Sequence, residues 1–165
     1  MKLRAYKETD AEEILKWVKD EREFRLWSAD RYGEYPISAQ DMNKNYSECQ
    51  KKSNFYPFIV EEDGKMVGHF ILRNPGEDVT VIKIGFVILD GTVRGKGYGK
   101  KLIEEAIAYA KKNLGAKKIT LGVFTHNYGA IHCYKSVGFK LVSIEKNAYK
   151  YHNENWDFAE MVLDR

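Results

Sequence analysis

The chain has 165 residues, of which 44% are hydrophobic and 31% are charged, and its formal net charge is +3. This length predicts one compact domain, residues 1–165, with its own hydrophobic core. The small net charge, without a block of consecutive like charges, argues against a nucleic-acid partner, and the absence of an apolar run near ~20 residues argues against a membrane span.

The N-terminal third is predicted to be mostly helical. A short strand over residues 2–6 precedes a helix that Thr9 would cap, with Glu12 completing the capping box. Two further helices are expected at residues 23–27 and 38–50. Residues 28–36 between them have no periodicity and are expected to form a loop.

Strands dominate the remainder of the chain. Residues 55–61 and 65–73 flank Asp63-Gly64, a pair typical of a β-hairpin turn. The clearest helix covers residues 96–114, whose apolar residues repeat at helical spacing. The other strands are expected at residues 79–89, 118–124, 140–150 and 156–163. A second helix is expected at residues 127–136. This order predicts a mixed α/β (α+β) domain.

A glycine-rich segment, Arg94-Gly95-Lys96-Gly97-Tyr98-Gly99, joins the long strand to the long helix. The first amides of a helix lack internal partners, and the helix dipole makes that end partially positive. Glycines remove the side chains that would keep an anion away from those amides. Three glycines at alternate positions therefore favour a phosphate-binding loop, with a plain strand-to-helix connection as the alternative.

The spacing of this segment distinguishes between phosphate ligands. The dinucleotide fingerprint G-x-G-x-x-G fails because Lys100 stands where its third glycine belongs. A Walker A loop fails because it needs glycine at Arg94 and Ser or Thr at Lys101. The pattern that fits is R/Q-x-x-G-x-G/A, with Arg94, Gly97 and Gly99 at its fixed positions.

A second segment follows at the expected distance. Residues 127–139 read N-Y-G-A-I-H-C-Y-K-S-V-G-F and match N-x-x-A-x-x-x-Y-x-x-x-G-F. With both motifs in order, residues 55–163 resemble the GNAT superfamily of N-acetyltransferases, in which the first motif binds the pyrophosphate of coenzyme A. The resemblance implies one GNAT domain: a central, mostly antiparallel twisted sheet of about six or seven strands flanked by helices, with parallel strands splayed at the acetyl-CoA cleft.

The resemblance implies acetyl-CoA as the co-substrate and assigns most of its contacts. The strand end Val87-Ile88-Leu89 would pair with the pantetheine arm, and a backbone amide there would polarise the thioester carbonyl. Asn127 matches an asparagine that contacts pantetheine in the family. The loop that would hold the pyrophosphate, through amides and cationic side chains, comprises Arg94, Gly95, Lys96, Gly97, Tyr98, Gly99 and Lys100.

The resemblance also assigns one catalytic residue. Tyr134 matches the tyrosine that protonates or hydrogen-bonds the departing thiolate, with a packed structural tyrosine as the alternative. The acceptor amine must lose a proton before it attacks, yet two positions that carry the base in some members hold Lys83 and Gly122 here. The remaining base candidates, each more typical of a surface residue, are Asp30, Glu34 and His126.

The cysteines and histidines argue against other chemistries. Cys49 and Cys133 cannot form a disulfide framework or a CxxC pair, which favours a reducing cytoplasm. No histidine and carboxylate are arranged around Cys133, so direct attack in a ternary complex is expected instead of a cysteine-bound intermediate. The four histidines lack metal-ligand spacing, so no metal is expected.

The acceptor is expected to be a primary amine, and the sequence motifs do not identify which one. The resemblance places the acceptor side near residues 24–36 and 149–156. The candidate substrate-binding residues there are Trp27, Asp30, Tyr32 and Glu34. The plan is similar to the branch that acetylates the N-terminal amine of ribosomal proteins. A polyamine or aminoglycoside acceptor, and a non-catalytic acyl-CoA-binding module, are the alternatives. The resemblance further implies a homodimer in which the last edge strand pairs with a second copy.

Overall fold

The computed structural model describes residues 1–164. The strands are β1 (Lys2–Ala5), β2 (Phe55–Glu62), β3 (Lys65–Arg73), β4 (Val81–Leu89), β5 (Lys118–Phe124), β6 (Lys140–Tyr151) and β7 (Glu154–Asp164). The helices are α1 (Ala11–Lys16), α2 (Glu21–Ser28), α3 (Ala39–Lys52), α4 (Tyr98–Leu114) and α5 (Tyr128–Ser136).

All seven strands form one sheet in the order β1-β2-β3-β4-β5-β7-β6. Every neighbouring pair is antiparallel except β4 and β5, which are parallel. This arrangement confirms the mixed α/β fold predicted from the sequence, including the single, mostly antiparallel sheet with one parallel pair.

The sheet separates two apolar clusters. Ile71 and Leu72 are neighbours on β3, so their side chains project to opposite faces. Leu72 packs in the cluster that contains Ile103 of α4 and Tyr134 of α5. Ile71 packs in the cluster that contains Met42 and other residues of α1 and α3. Helices therefore cover both faces of the sheet around β3 and β4.

Two helix starts show where local sequence rules hold and where they fail. At α3, the Ser38 hydroxyl accepts a hydrogen bond from the Asp41 amide at 3.1 Å, as the sequence predicts. The predicted Thr9 cap is wrong, because Thr9 lies within a 3₁₀ turn over residues 8–10. Asp10 binds this turn instead: its carboxylate accepts from the Lys7 amide at 2.7 Å.

The C-terminal hairpin is longer than its predicted strands. β7 pairs with β5 on one side and with β6 on the other, so the last strand of the chain is internal. The free edge at this end of the sheet belongs to β6. Its exposed aliphatic side chains are Leu141, Val142 and Ile144, at 48%, 58% and 44% of full exposure.

Candidate active site

The parallel ladder between β4 and β5 is short, and the strands separate beyond it. Paired Cα positions run only from Val81 with Lys118 to Ile84 with Leu121. A cavity of about 1070 Å³ opens where the strands diverge. Residues 84–89 of β4 and residues 121–123 of β5 form its two strand walls. The predicted strand end Val87-Ile88-Leu89 therefore lines a cleft.

A bulge in β4 shapes one wall of this cleft. Phe86 has a φ of 49°, and the register between β3 and β4 shifts between His69 and Ile71. Beyond the bulge, Ile88 and Leu89 are still paired with β3. Their other edge, toward β5, lies past the end of the parallel ladder. The backbone there is available to an extended ligand that pairs as an added strand.

The glycine loop borders the same cleft at the start of α4. Gly95 and Gly97 have φ values of 74° and 84°, in the left-handed region that strains residues with a side chain. Gly97 is the N-cap of the 17-residue helix α4. Since Gly95, Gly97, Gly99 and Lys100 line the cleft, the partially positive end of α4 opens into it. The side chains of Lys96 and Tyr98 are not part of the wall.

The Arg94 side chain is engaged within the protein. Its guanidinium donates to the Leu89 carbonyl at 3.1 and 3.0 Å and to the Trp17 carbonyl at 3.1 Å. It also pairs with the Glu23 carboxylate at 2.5 Å. Arg94 thus ties the region of α1 and α2 to the end of β4, and Glu23 neutralises the charge that the sequence suggested for a phosphate.

Helix α5 brings Asn127, Cys133 and Tyr134 to the cleft. The Asn127 side chain caps the helix by accepting from the Ala130 amide at 3.4 Å. Tyr134 is only 8% exposed. Burial raises the pKa of the Tyr134 phenol well above its ordinary value, so the hydroxyl stays protonated at neutral pH.

Cys133 lines the cleft as a half-buried thiol. Burial is the largest cause that raises the pKa of this thiol, and the nearby charge of Glu104 raises it further. The thiolate, which is the nucleophilic form, is therefore disfavoured at Cys133.

The predicted substrate-binding residues separate into two groups. Trp27 lines the cleft, with its ring 5.5 Å from that of Phe86. Asp30 and Glu34 are exposed and lie outside the cleft wall. Tyr32 is only 7% exposed, because its ring packs beside Phe24 at 5.9 Å. The structure therefore brings Trp27 to the cleft, and leaves Asp30, Tyr32 and Glu34 away from it.

The first turn of α2 lines the cleft, which the sequence reading missed. Asp20, Arg22 and Glu23 all contribute to the wall. The available sequence signal was the spacing of Asp20 and Glu23, because the Asp20 carboxylate caps α2 by accepting from the Glu23 amide at 2.8 Å. Arg22 crosses to the C-terminal hairpin, where it pairs with both Glu154 oxygens at 2.6 and 3.1 Å.

The aromatic residues of the second predicted acceptor segment come together on this hairpin. The rings of Tyr149 and Tyr151 lie 5.5 and 5.0 Å from the ring of Trp156. His126 lies 4.6 Å from the same ring. Burial, followed by the charge of Arg22, lowers the pKa of His126, so its imidazole is neutral at pH 7.

Within residues 1–164, no group of three or more His, Cys, Asp or Glu side chains is arranged to hold a metal ion. In the same part of the chain, no helix has both the length and the apolar character needed to cross a membrane.

The profile of the acetyltransferase (GNAT) family matches residues 11–139. This match covers most of the chain and includes the cleft, so the protein belongs to the GNAT family.

Curated proteins similar to this chain have names that refer to N-acetyltransferases. An uncharacterized N-acetyltransferase of Methanocaldococcus jannaschii is 37% identical over 94 residues, which are 54% of this chain and 41% of the relative. An N-alpha-acetyltransferase of Sulfurisphaera tokodaii is 30% identical over 101 residues, 56% of this chain and 60% of the relative. An N-acetyltransferase 9-like protein of Caenorhabditis elegans is 24% identical over 143 residues, 77% of this chain and 68% of the relative. The first two matches thus span less than two thirds of those relatives.

Solved structures share the fold over nearly the whole chain. A spermidine N-acetyltransferase from Vibrio cholerae, in complex with CoA and spermine, superposes with a TM-score of 0.83 at 21% identity, covering 98% of this chain and 94% of that one. A putative phosphinothricin N-acetyltransferase gives a TM-score of 0.80 at 19% identity, covering 99% and 97%. At these identities the likeness shows the fold alone.

Proposed function

We propose that this protein transfers the acetyl group of acetyl-CoA to a primary amine by direct attack in a ternary complex. The observation that carries the proposal is the cleft between the splayed strands β4 and β5. It combines an unpaired backbone edge, the positive end of α4 and the protonated hydroxyl of Tyr134. These groups suit coenzyme binding and stabilisation of the leaving thiolate in thioester aminolysis.

The coenzyme would be held mainly by backbone. The amides and carbonyls of Val87, Ile88 and Leu89 offer a strand edge to the two amide groups of pantetheine. The amides from Gly95 to Lys100 would bind the pyrophosphate, with the exposed Lys100 ammonium adding charge at the cleft. Arg94 would keep the loop in place through Leu89 and Glu23, which is a positioning role.

The reaction then needs a stabilised oxyanion and a stabilised leaving group. The amine nitrogen bonds to the thioester carbon, and a β4 amide would stabilise the charge that develops on the carbonyl oxygen. The nitrogen gives up one proton to solvent, and when the tetrahedral intermediate collapses the carbon–sulfur bond breaks and CoA leaves as a thiolate. Tyr134 would donate a hydrogen bond or proton to that sulfur. The raised pKa of Cys133 supports direct attack over an acetyl-cysteine intermediate.

The proposed acceptor is the N-terminal amine of a protein. The relative from Sulfurisphaera tokodaii is named an N-alpha-acetyltransferase, which supports this choice. The alternative is a small amine, and the polyamine enzymes among the structural neighbours are the reason to test it. A non-catalytic acyl-CoA-binding module is the other alternative, and it predicts coenzyme binding without turnover.

The test is CoA release from acetyl-CoA across peptides with free N-termini, lysine-containing peptides, polyamines and aminoglycosides. The matched variants are Tyr134→Phe and Tyr128→Phe, because Tyr128 lies on the same helix but is 77% exposed. We expect Tyr134→Phe to lower kcat by about 100-fold, within the usual range for a general acid. Tyr128→Phe should keep the wild-type rate. Acetyl-CoA binding without turnover on any amine would favour the binding module.

Two further predictions concern assembly and location. We propose that this chain forms a homodimer through the free edge of β6, since β7 is paired on both sides. Sedimentation of the wild type and of Ile144→Lys checks this, and an unchanged dimer in the variant contradicts it. The reducing cytoplasm inferred from Cys49 and Cys133 stays a prediction.

A further inference from the structure

Two cations stand side by side on the face of the sheet that carries α1 and α3. Arg73 of β3 and Lys83 of β4 are direct cross-strand partners. In an antiparallel pair, opposite side chains project to the same face, with Cβ atoms about 4.5–5.5 Å apart. Both side chains are half-buried. Like charges in this position destabilise a sheet, so the pair needs a functional or structural reason.

A third cation joins this pair from the loop after α2. The Arg31 guanidinium lies 4.8 Å from the centre of the Phe86 ring, and it donates to the Cys49 sulfur at 3.2 Å. Burial, followed by the charge of Arg31, lowers the pKa of Arg73. Burial, followed by the charge of Arg73, lowers the pKa of Lys83. Arg73 is therefore close enough to both Arg31 and Lys83 to be linked to each electrostatically.

The protein supplies little negative charge to balance them. Glu160 of β7 is the carboxylate that raises the pKa of Lys83. Within residues 1–164, none of Arg31, Arg73 and Lys83 forms a salt bridge. Because none of these partly buried cations has an ion-pair partner among the described residues, an anionic ligand would stabilise them.

Lys83, one of these three cations, lies near the wall of the cleft. Gly85, which follows Lys83 by two residues and projects to the same face, lines the cleft, as does Gly122 of β5. The Phe158 ring lies over Gly122, where it would come within 2.1 Å of an added Cβ atom. The same ring lies 5.9 Å from the Lys83 ammonium. The Phe158 ring therefore connects Lys83 with the wall of the cleft, although none of the three cations is itself part of that wall.

We propose that Arg31, Arg73 and Lys83, here called the cation cluster, bind a carboxylate carried by the acceptor amine. The inference rests on the proposed acetyl transfer and narrows its acceptor to an amine with a nearby carboxylate. Arginine suits this role because its planar guanidinium binds carboxylates in a bidentate manner. The carboxylate has two sources: an acidic side chain near the N-terminus of a peptide, or the α-carboxylate of a free amino acid. A polyamine offers only like charge to the cluster.

The experiment measures kcat/KM for three peptides that differ only in a first residue of Asp, Asn or Lys, with free glutamate and spermidine as further acceptors. We expect the Asp peptide to exceed the Asn peptide by about tenfold, the effect of one charge-assisted hydrogen bond. The Lys peptide and spermidine should be poorest. Faster acetylation of the Asp peptide indicates an acidic side chain as the source of the carboxylate, and faster acetylation of free glutamate indicates a free amino acid.

The variants test the cluster itself. The double variant Arg73→Gln, Lys83→Gln should bring the Asp and Asn peptides within about twofold of each other, because the charge-assisted contacts are lost. The control is Lys118→Gln, an exposed lysine at the start of β5, which should keep the wild-type preference. Equal rates for the Asp and Asn peptides in the wild type, or a preference that survives in the double variant, would overturn the inference.

A measurement of folding keeps the test independent of turnover. Because like charges are opposed across β3 and β4, Lys83→Gln should raise the melting temperature, whereas loss of a stabilising structural contact would lower it.

Different results would refute the two proposals. Absence of CoA release with every amine refutes the proposed acetyl transfer. Turnover of the Asn and Lys peptides without preference for Asp refutes only the carboxylate site.

Discussion

The backbone of the glycine loop gives the sharpest prediction on coenzyme binding. Gly97 has a φ of 84° at the N-cap of α4, and an added Cβ atom would meet nothing within 4 Å. Gly97→Ala therefore introduces backbone strain without a steric clash. A left-handed conformation costs an ordinary residue about 1–2 kcal/mol, which the loop relieves by moving its amides away from the pyrophosphate position.

This strain sets the size of the expected effect. If it is expressed entirely as lost binding, 1–2 kcal/mol corresponds to an increase of roughly 5–30-fold in the Kd for CoA. Isothermal titration of CoA into Gly97→Ala and the wild type measures it. Asparagine tolerates the left-handed region better than alanine, so Gly97→Asn should bind with an intermediate Kd.

The control for this prediction is Gly91→Ala. Gly91 also has nothing within 4 Å of an added Cβ atom, but its φ lies outside the left-handed region. We expect its Kd to stay within about twofold of the wild-type value, because alanine is unstrained there. Equal affinities of Gly97→Ala and Gly91→Ala for CoA would refute the argument that the left-handed glycine positions the phosphate amides.

Other predictions concern stability. Gly122→Ala should lower the free energy of unfolding by about 1–3 kcal/mol, because its methyl group overlaps the Phe158 ring; Phe158→Leu should relieve the loss, and urea denaturation measures both. Glu23→Gln should destabilise the protein by about 1–2 kcal/mol in the same assay, since it removes the charge paired with Arg94. An unchanged midpoint would show that the Arg94–Glu23 ion pair does not stabilise the fold. Burial lowers the pKa of His69 to about 4, so the unfolded chain takes up a proton first as the pH falls. The contribution of His69 to the free energy of unfolding should be fully present above pH 6.5 and fall by about 1.4 kcal/mol per pH unit toward pH 4. Urea denaturation at several pH values measures this slope, which His69→Gln should flatten.

Local patterns predicted the elements that build the cleft. The strand predicted at residues 118–124 is β5 with the same bounds, and the glycines after β4 predicted the loop at the start of α4. Ser38 and Asp41 predicted the start of α3, because a capping box depends on residues three apart. These features depend on neighbours in the chain, so the sequence alone contains the information.

Contacts between distant segments account for what was missed. Glu23 and Arg94 are 71 positions apart, and only the fold brings the first turn of α2 to the end of β4. Tyr32 was expected on the acceptor side because the family resemblance places residues 24–36 there, but Phe24 packs beside its ring and the residue is buried. The bulge at Phe86 depends on pairing between β3 and β4, which periodicity within one strand does not reveal.

The central claim is that the cleft between β4 and β5 binds acetyl-CoA, and a crystal structure with bound CoA tests it most directly. We expect pantetheine paired with the backbone of residues 87–89 and pyrophosphate on the amides of residues 95–100, with Tyr134 facing the sulfur. CoA bound elsewhere, or a coenzyme held by side chains while the edge of β4 stays unpaired, would contradict it.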